Sequence, residues 1–494
     1  MKPHSVPGDA ERRANRLETT PMKQGTFFLL LPVLAGTAAL IANTSCDGAR
    51  ATTPSETPGA AKDGAAAPSA QFPPPKGDVP QSDPNELFKQ KERRSLFKPT
   101  QPELAMTEIS QGLPQSGTWR GYPLLCDFNG DGRADLVASN REEDGYSAWV
   151  RPAKGPWVLC IDGPKKEVGG LPRDMAYGPA RAADMDGDHR PDLLLSAHTD
   201  ALRIYRNVLA VDEKGQSVDD GKLHWLRTEA PIENPFLMLD IAVGNLNGDA
   251  YPDVAGLGHF KGGIGLYLGD GKGGVRRLPV SEKILDAKAF GQRIELADLD
   301  GDGIDDIVAT TMRGMKTYRV QPGTPFTFEE RSAGLPNPSI GNSISGLCVG
   351  RFRTGKPVEV AACLVPDPLA KIETYDTIGL YAWNAEKKVW EHVDSGLPRN
   401  EVYRDIACAD FNADGHLDLL AFSLESGGVF YLGDGNGGFK PKGRLPGIYG
   451  IGRIAIGDID GDKLPDVAVA IPATKEHPEI GGVRAFLNHR ELWK

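Results

Sequence analysis

Seven nine-residue stretches of this 494-residue chain set polar residues at a fixed spacing, and six of them suit the chemistry of a hard metal ion. The seven read DFNGDGRAD from Asp127, DMDGDHRPD from Asp184, NLNGDAYPD from Asn245, DLDGDGIDD from Asp298, RFRTGKPVE from Arg351, DFNADGHLD from Asp410 and DIDGDKLPD from Asp458. Counted from the first residue, the six carry a carboxylate or amide at positions 1, 3, 5 and 9. The expected ligand sets are Asp127, Asn129, Asp131 and Asp135; Asp184, Asp186, Asp188 and Asp192; Asn245, Asn247, Asp249 and Asp253; Asp298, Asp300, Asp302 and Asp306; Asp410, Asn412, Asp414 and Asp418; and Asp458, Asp460, Asp462 and Asp466. Calcium takes roughly 6–8 oxygen ligands, and the backbone carbonyl of position 7 can fill the remaining gap. Magnesium, which keeps its waters and a strict octahedron, fits less well. Gly130, Gly187, Gly248, Gly301 and Gly461 at position 4 permit the tight bend. A single loop of this kind could be an ordinary polar turn. Six copies of one oxygen spacing point instead to six calcium sites.

The spacing resembles the opening of an EF-hand loop, but position 12 lacks the EF-hand Glu and position 9 closes the site instead. The six loops together hold twenty carboxylates at these positions, and without cations each group repels itself. Calcium in all six would bring the formal net charge of -11 close to neutrality. The fifth loop is different. Arg351 and Arg353 stand at positions 1 and 3, Gly355 at position 5, and only Glu359 remains, so no cation is expected there. Two readings are open for it: drift with the turn kept by Gly355 and Pro357, or an Arg guanidinium that replaces the ion by pairing with Glu359, with Cys348 and Cys363 bridged across the same hairpin.

The elements that must hold these loops are short strands. RIELA precedes Asp298 and DIVAT follows it; RIAIG and DVAVA flank the last loop in the same way. Many repeats continue with a third strand, a Gly-rich turn and a fourth strand, as in Gly263–Pro279 and Gly428–Pro446, and GLP closes several, at Gly170, Gly334 and Gly396. The loops start 57, 61, 53, 53, 59 and 48 residues apart, which is the length of one four-stranded blade. The pattern therefore predicts an all-β fold, a seven-bladed β-propeller of four-stranded antiparallel blades. The last loop is followed by one strand pair only, while Ala105–Pro114 has a fourth-strand character and no blade of its own. An N-terminal strand is expected to complete the last blade and close the ring, leaving no open edge. The propeller should occupy 105–494, after an N-terminal extension and signal peptide at 1–45 and a disordered Pro/Ala-rich tether at 46–104 that includes a charged stretch, Glu86–Lys98, able to form a short helix.

These loops resemble those of the FG-GAP/VCBS repeat family, which includes the integrin α-subunit propeller. The resemblance covers about Ala105 to Lys494 and implies a calcium-binding β-propeller, with Asp127, Asp184, Asn245, Asp298, Asp410 and Asp458 opening the metal loops. The family's Phe-Gly and Gly-Ala-Pro signatures are only partly matched, by Phe290-Gly291 and Gly178-Pro179-Ala180.

An acidic chain of pI near 5.4 lacks the basic face that phosphate binding needs, so no nucleic-acid partner is expected. The uncharged run Thr26–Ala42, preceded by Lys23, is too short to span a bilayer and reads as an export signal, with Met1 or Met22 as the start. The small residues before Cys46 match a lipobox apart from Asn43. The protein should therefore leave the cytoplasm for the periplasm, cell surface or medium, with or without a lipid anchor at Cys46. Cys126, Cys160, Cys348, Cys363 and Cys408 form no CxxC pair.

The leading functional expectation is a monomeric scaffold at the cell envelope that binds a protein or a glycan, calcium being structural. Trp119, Trp149, Trp157, Trp225, Trp383 and Trp390 could stack on sugars or pack between blades. The alternative is a polysaccharide-degrading, lyase-like enzyme working in the central channel. It has little to draw on: His189, His198, His224, His259, His392 and His416 are scattered, no GxSxG or HExxH is present, and the GDGKGG segment near Gly269 suits a hairpin turn.

Overall fold

The fold is that of a computed structural model, which describes residues 101–494 except 141–144, 161–170, 173–174, 176–177, 198–199, 229–237, 259–262, 280–290, 312–313, 337–342, 366–376, 399–400, 424–425, 449–451 and 474–480. The signal segment, Cys46, the tether up to residue 100, Glu86–Lys98, Gly170, Phe290, His198 and His259 lie outside the described residues.

Seven four-stranded antiparallel sheets follow one another along the chain. Blade one comprises Leu124–Cys126, Asp135–Ser139, Tyr146–Val150 and Val158–Leu159, and blade two Ala180–Ala183, Asp192–Ala197, Asp200–Val208 and His224–Arg227. Blade three runs from Met238–Gly244 to Val275–Arg277, blade four from Gly291–Ala297 to Thr327–Glu330, blade five from Ser343–Gly350 to Val389–Val393, and blade six from Tyr403–Ala409 to Phe439–Arg444. Blade seven has three consecutive strands, Arg453–Gly457, Asp466–Ile471 and Gly482–Leu487. Its fourth is Thr107–Glu108, which pairs with the third in the register Thr107 to Leu487 and Glu108 to Phe486. The protein is thus an all-β, seven-bladed propeller.

The second strand of each blade reads as a continuous apolar run because neighbouring blades cover both of its faces. Asp192–Ala197, Asp306–Thr311 and Asp466–Ile471 are buried along their whole length. The core accordingly forms between blades, as where Phe411, Phe422 and Phe430 of blade six meet Val467, Val469 and Phe486 of blade seven.

The N-terminal segment reaches further than its short strand. Before it, Leu104 N donates to the Arg444 carbonyl of blade six at 2.9 Å and Glu103 pairs with the Arg444 guanidinium at 2.7 Å. After it, Trp157 of blade one donates through its backbone to Gln111 and through Nε1 to the Ile109 carbonyl. Residues 103–111 therefore touch blades six, seven and one, and these contacts begin two residues before Ala105. At the other terminus a short 3-10 turn, Arg490–Trp493, sets the Trp493 ring 5.4 Å from Phe430 of blade six. No helix among the described residues is long and apolar enough to cross a membrane.

Candidate metal centres in the interstrand loops

All seven loops join the first strand of a blade to the second, and in every blade position 9 is the first residue of the second strand. It pairs with the residue just before position 1: Cys126 with Asp135, Ala183 with Asp192, Gly244 with Asp253, Ala297 with Asp306, Gly350 with Glu359, Ala409 with Asp418 and Gly457 with Asp466. The partner is always small, which leaves room for the acid under the turn.

Within a loop the first side chain organises the turn. Asp127 Oδ1 accepts from Gly130 N and Asp131 N at 2.7 and 3.1 Å, and its Oδ2 from Gly132 N at 2.8 Å. Asp184, Asp298 and Asp458 repeat this pattern. Successive N–H groups aimed at one carboxylate form a nest, and the conformation needs a left-handed residue at position 4 and again at position 6 in most loops. Position 6 is Gly132, Gly303 or Gly415 in three loops, but His189 and Lys463 adopt the same positive φ of 66° and 67°. Ala413 replaces glycine at position 4 in the sixth loop, at φ 57°. The carboxylate of position 5 accepts from the N–H of position 7, as Asp302 does from Ile304 at 3.0 Å.

Position 9 acts differently. The Asp466 carboxylate accepts from Ile459 N at the head of its loop and from Asn488 N beyond the third strand, both at 2.7 Å. Asp135, Asp192, Asp253 and Asp418 bridge the same two segments. All six position-9 aspartates are buried, and burial pushes their carboxyls up to about 7, or to about 8 for Asp466, when no cation is beside them. A cation at the loop would offset that cost.

The residues fit a hard cation. In three loops carboxylate oxygens converge within 4.8 Å of one another: Asp184, Asp186 and Asp192; Asp298, Asp300 and Asp302; and Asp458, Asp460 and Asp466. The other three loops have amides at one or two of the first three ligand positions, so their oxygen sets are carboxylate and amide together. The Asp186 Oδ1 atom is buried without a hydrogen-bond partner, as a ligand atom facing a cation would be. A donor set of oxygens alone suits a hard divalent ion. Arginines temper the charge of the clusters: Arg133 pairs with Asp131, Arg190 with Asp188, Arg206 with Asp186, and Arg319 and Arg331 with Asp300. The expectation of self-repelling clusters is corrected to that extent, since the first, second and fourth loops already carry some internal neutralisation.

The fifth loop makes the pairing with Glu359 that its sequence allows. Arg353 Nε lies 2.5 Å from Glu359 Oε1 and Arg353 N donates to Oε2 at 3.1 Å, while the Glu359 side chain is 2% exposed. A guanidinium thus occupies the place where the other loops gather oxygens. The bridge between Cys348 and Cys363 is not formed. Register sets Ala361 opposite Cys348 and Gly346 opposite Cys363, a diagonal relation that separates the two residues by roughly 7–8 Å, beyond the Cα separation of roughly 4.4–6.8 Å that a disulfide spans. Cys348 and Cys363 are both reduced and buried, and the Cys408 thiol of the next blade donates to the Val349 carbonyl beside Cys348 at 3.5 Å.

The tryptophans proposed for sugar stacking belong to the core. Trp119, Trp149, Trp157, Trp225 and Trp390 are buried, and Trp383 packs against the core between blades four and five. His189 projects from its loop with its side chain 90% exposed.

Sequence inspection overlooked a charged network on the inner strands. Arg181 donates to Asp240 at 3.1 Å, Arg293 donates to Glu295 at 2.8 Å, and Arg453 donates to the Tyr122 hydroxyl at 2.7 Å. The Arg293 and Arg453 guanidiniums lie 4.2 and 4.5 Å from the centroid of the Tyr122 ring. Asp240 accepts from Ile294 N of the following blade, and Asp405 from Ile454 N, each at 3.0 Å. Burial pushes the Tyr122 hydroxyl up to about 12. Contacts among Tyr122 of blade one, Arg293 of blade four and Arg453 of blade seven reach across the ring, so these charged groups serve one another.

The FG-GAP-like repeat family model matches residues 127–195, 245–309 and 375–469. The Arg-bearing fifth loop falls between matched segments. No curated protein matches the chain. Among solved structures it is similar to an Agrocybe aegerita lectin described for its recognition of non-reducing terminal N-acetylglucosamine, at 14% identity over 65% of this chain and 80% of that one, with a TM-score of 0.39. It is also similar to BBS1N in its complex with ARL6DN, at 12% identity over 78% and 98% with a TM-score of 0.46. A mutant of AofleA from Arthrobotrys oligospora matches at 12% identity over 69% and 91% with a TM-score of 0.36. With its recurrent loops set at one edge of every sheet, this chain is a seven-bladed β-propeller built on FG-GAP-like repeats.

Proposed function

We propose that the chain is an exported β-propeller scaffold that binds a protein or a glycan at the cell envelope, with structural calcium in six of its seven interstrand loops. The observation that carries the calcium reading is the position-9 carboxylate, buried in all six loops and accepting from backbone on two sides of a strand pair in five of them. Such a group needs a positive charge beside it, and the oxygens of positions 1, 3 and 5 supply the rest of a calcium shell. Calcium would fix each hairpin and, through it, the third strand. Export is supported by the apolar run Thr26–Ala42 behind Lys23 and by the small residues before Cys46, the candidate lipid anchor.

A binding role is favoured over channel catalysis because the acids, arginines and tyrosine of the inner strands are committed to mutual contacts. The segments outside the sheets are then the natural ligand surface. Equilibrium dialysis of the purified chain against calcium should give six bound ions, and a glycan array run beside a pull-down from envelope extract should retain a ligand only with calcium present. Uptake of no calcium would overturn the structural reading. Breakdown of polysaccharide by the purified protein would replace the scaffold with an enzyme.

A further inference from the structure

The third loop is the only one of the six candidate metal loops that opens on an amide, Asn245, and it holds just two carboxylates of its own, Asp249 and Asp253. Its head is grasped by the tail of the fourth loop. Asn245 N donates to Asp305 Oδ2 at 2.7 Å, and Asp305 N donates back to the Asn245 carbonyl at 2.8 Å. The approach is close enough that a Cβ on Gly244 would sit 2.3 Å from Asp305 Oδ2, and one on Gly248 would sit 3.0 Å from Ile304 Cδ1. Glycine is required at the first of these for the carboxylate to enter.

Asp305 stands at position 8, a position outside the ligand pattern. In the second, third and seventh loops that residue is Pro191, Pro252 or Pro465, which has no N–H to give. In the first loop Ala134 N does reach the Asp458 carbonyl of the seventh, at 2.6 Å, but it brings no side-chain charge. The combination of a position-8 N–H with a carboxylate thus occurs at the one junction, among the six candidate metal loops, whose receiving loop lacks an acid at position 1.

We propose that Asp305 of the fourth loop is a positioning residue for the cation site of the third, supplying from the neighbouring blade the negative charge that Asn245 lacks and a second hold on a loop head that the Asn245 amide oxygen already anchors to Gly248 N. The inference rests on the calcium reading above. It makes the third and fourth loops one coupled unit: ordering the fourth loop around its ion fixes Asp305, and Asp305 in turn fixes the head of the third.

The test is calcium binding by the full chain and its Asp305→Ala and Asp305→Asn variants, with far-UV circular dichroism to verify folding. Loss of a charge-assisted hydrogen bond corresponds to about a tenfold or greater weakening. At calcium concentrations that just fill six sites in the wild type, Asp305→Ala should fill five, with the sixth requiring about tenfold more calcium, and Asp305→Asn should fall between. Adding Asn245→Asp to Asp305→Ala should restore the sixth site, which a general loss of packing would not allow. Equal binding by wild type and both single variants overturns the coupling while leaving structural calcium standing. A wild type that takes up no calcium overturns both. Should Asp305→Ala fail to fold, Asp305→Asn with and without Asn245→Asp carries the same comparison.

Discussion

The fourth and fifth loops sit in adjacent blades, close the same hairpin and start the second strand on a buried acid, yet they meet the need of that acid in opposite ways. In the fourth, Asp306 is buried at the start of the second strand, and Asp298, Asp300 and Asp302 bring together a set of oxygens suited to an ion from solution. In the fifth, Arg353 comes from within the loop and bonds Glu359 directly. What both blades share is a buried carboxylate at position 9, against which the fifth loop sets a guanidinium and the fourth, on the proposed reading, would set an ion. On that reading the origin of the positive charge is exchangeable, and this locates the cation requirement in the second strand more than in the acid-rich turn.

The largest consequence is a divided response to chelation. Each filled site stabilises the folded chain by about 4 kcal/mol when calcium stands a thousandfold above its dissociation constant. Six such sites, if filled as proposed, would make the domain strongly calcium-dependent, so excess chelator should lower the melting temperature by more than about 10 °C. Hydrogen exchange in chelator should be fastest in the six loops and least changed around Arg351–Glu359. Uniform protection, or an unchanged melting curve, would remove the distinction between the loops.

Next in size is the loss of the built-in charge. Arg353→Ala leaves Glu359 buried without its partner, and breaking a buried pair in this way costs about 3 kcal/mol. The loss should be the same with and without calcium, because no ion is gathered there. Asp306→Ala should cost about 1–3 kcal/mol by stripping the acceptor from Val320 N, but this cost should depend on calcium. Chemical denaturation of the two variants in calcium and in chelator separates the cases.

A conversion tests the exchange directly. Arg351→Asp, Arg353→Asp, Thr354→Gly, Gly355→Asp and Glu359→Asp together write the acidic pattern into the fifth loop and move its glycine from position 5, where Gly355 has φ 71°, to position 4, where most of the other loops carry it. The variant should bind one more calcium than the wild type by equilibrium dialysis and should become sensitive to chelator in blade five. Failure to gain an ion would show that the guanidinium has been followed by changes elsewhere in the blade.

The repeat unit was readable because nine residues carry both the turn and the first two strand ends, so loop spacing alone set the blade count. Position 9 was readable as an oxygen donor but its double bridge was not, since the second donor arrives from residues 14 to 22 positions away along the chain, as Val320 does to Asp306 and Asn488 to Asp466. The left-handed residue at position 6 was hidden because His189 and Lys463 occupy it as well as glycine. Cys348 and Cys363 lie 15 residues apart on one hairpin and looked bridgeable, whereas strand register offsets them by two. The hold of Asp305 on Asn245, the contacts of residues 103–111 with three blades and the network around Tyr122 all join separate blades. Such contacts depend on how sheets pack around the ring, which no local pattern encodes.

The smallest expected effect bears most directly on whether arginine and metal are alternatives. Arg319 lies 2.6 Å from Asp300 and 2.8 Å from Asp302 with its side chain about a quarter exposed, and so already lends the fourth loop part of a positive charge. If guanidinium and ion serve the same acids, Arg319→Ala should move two quantities in opposite directions. In chelator the variant should be less stable than wild type, by up to about 1 kcal/mol for a partly solvated pair. In calcium the deficit should shrink, and the affinity of the fourth loop should rise severalfold, because a competing cation has left its ligands. Isothermal titration beside melting curves reads both quantities. A variant that loses stability equally in the two conditions would show that Arg319 packs the blade and that its charge does not compete with the ion; a tighter site with a chelator-specific deficit would extend the logic of Arg353 and Glu359 from one loop to its neighbour.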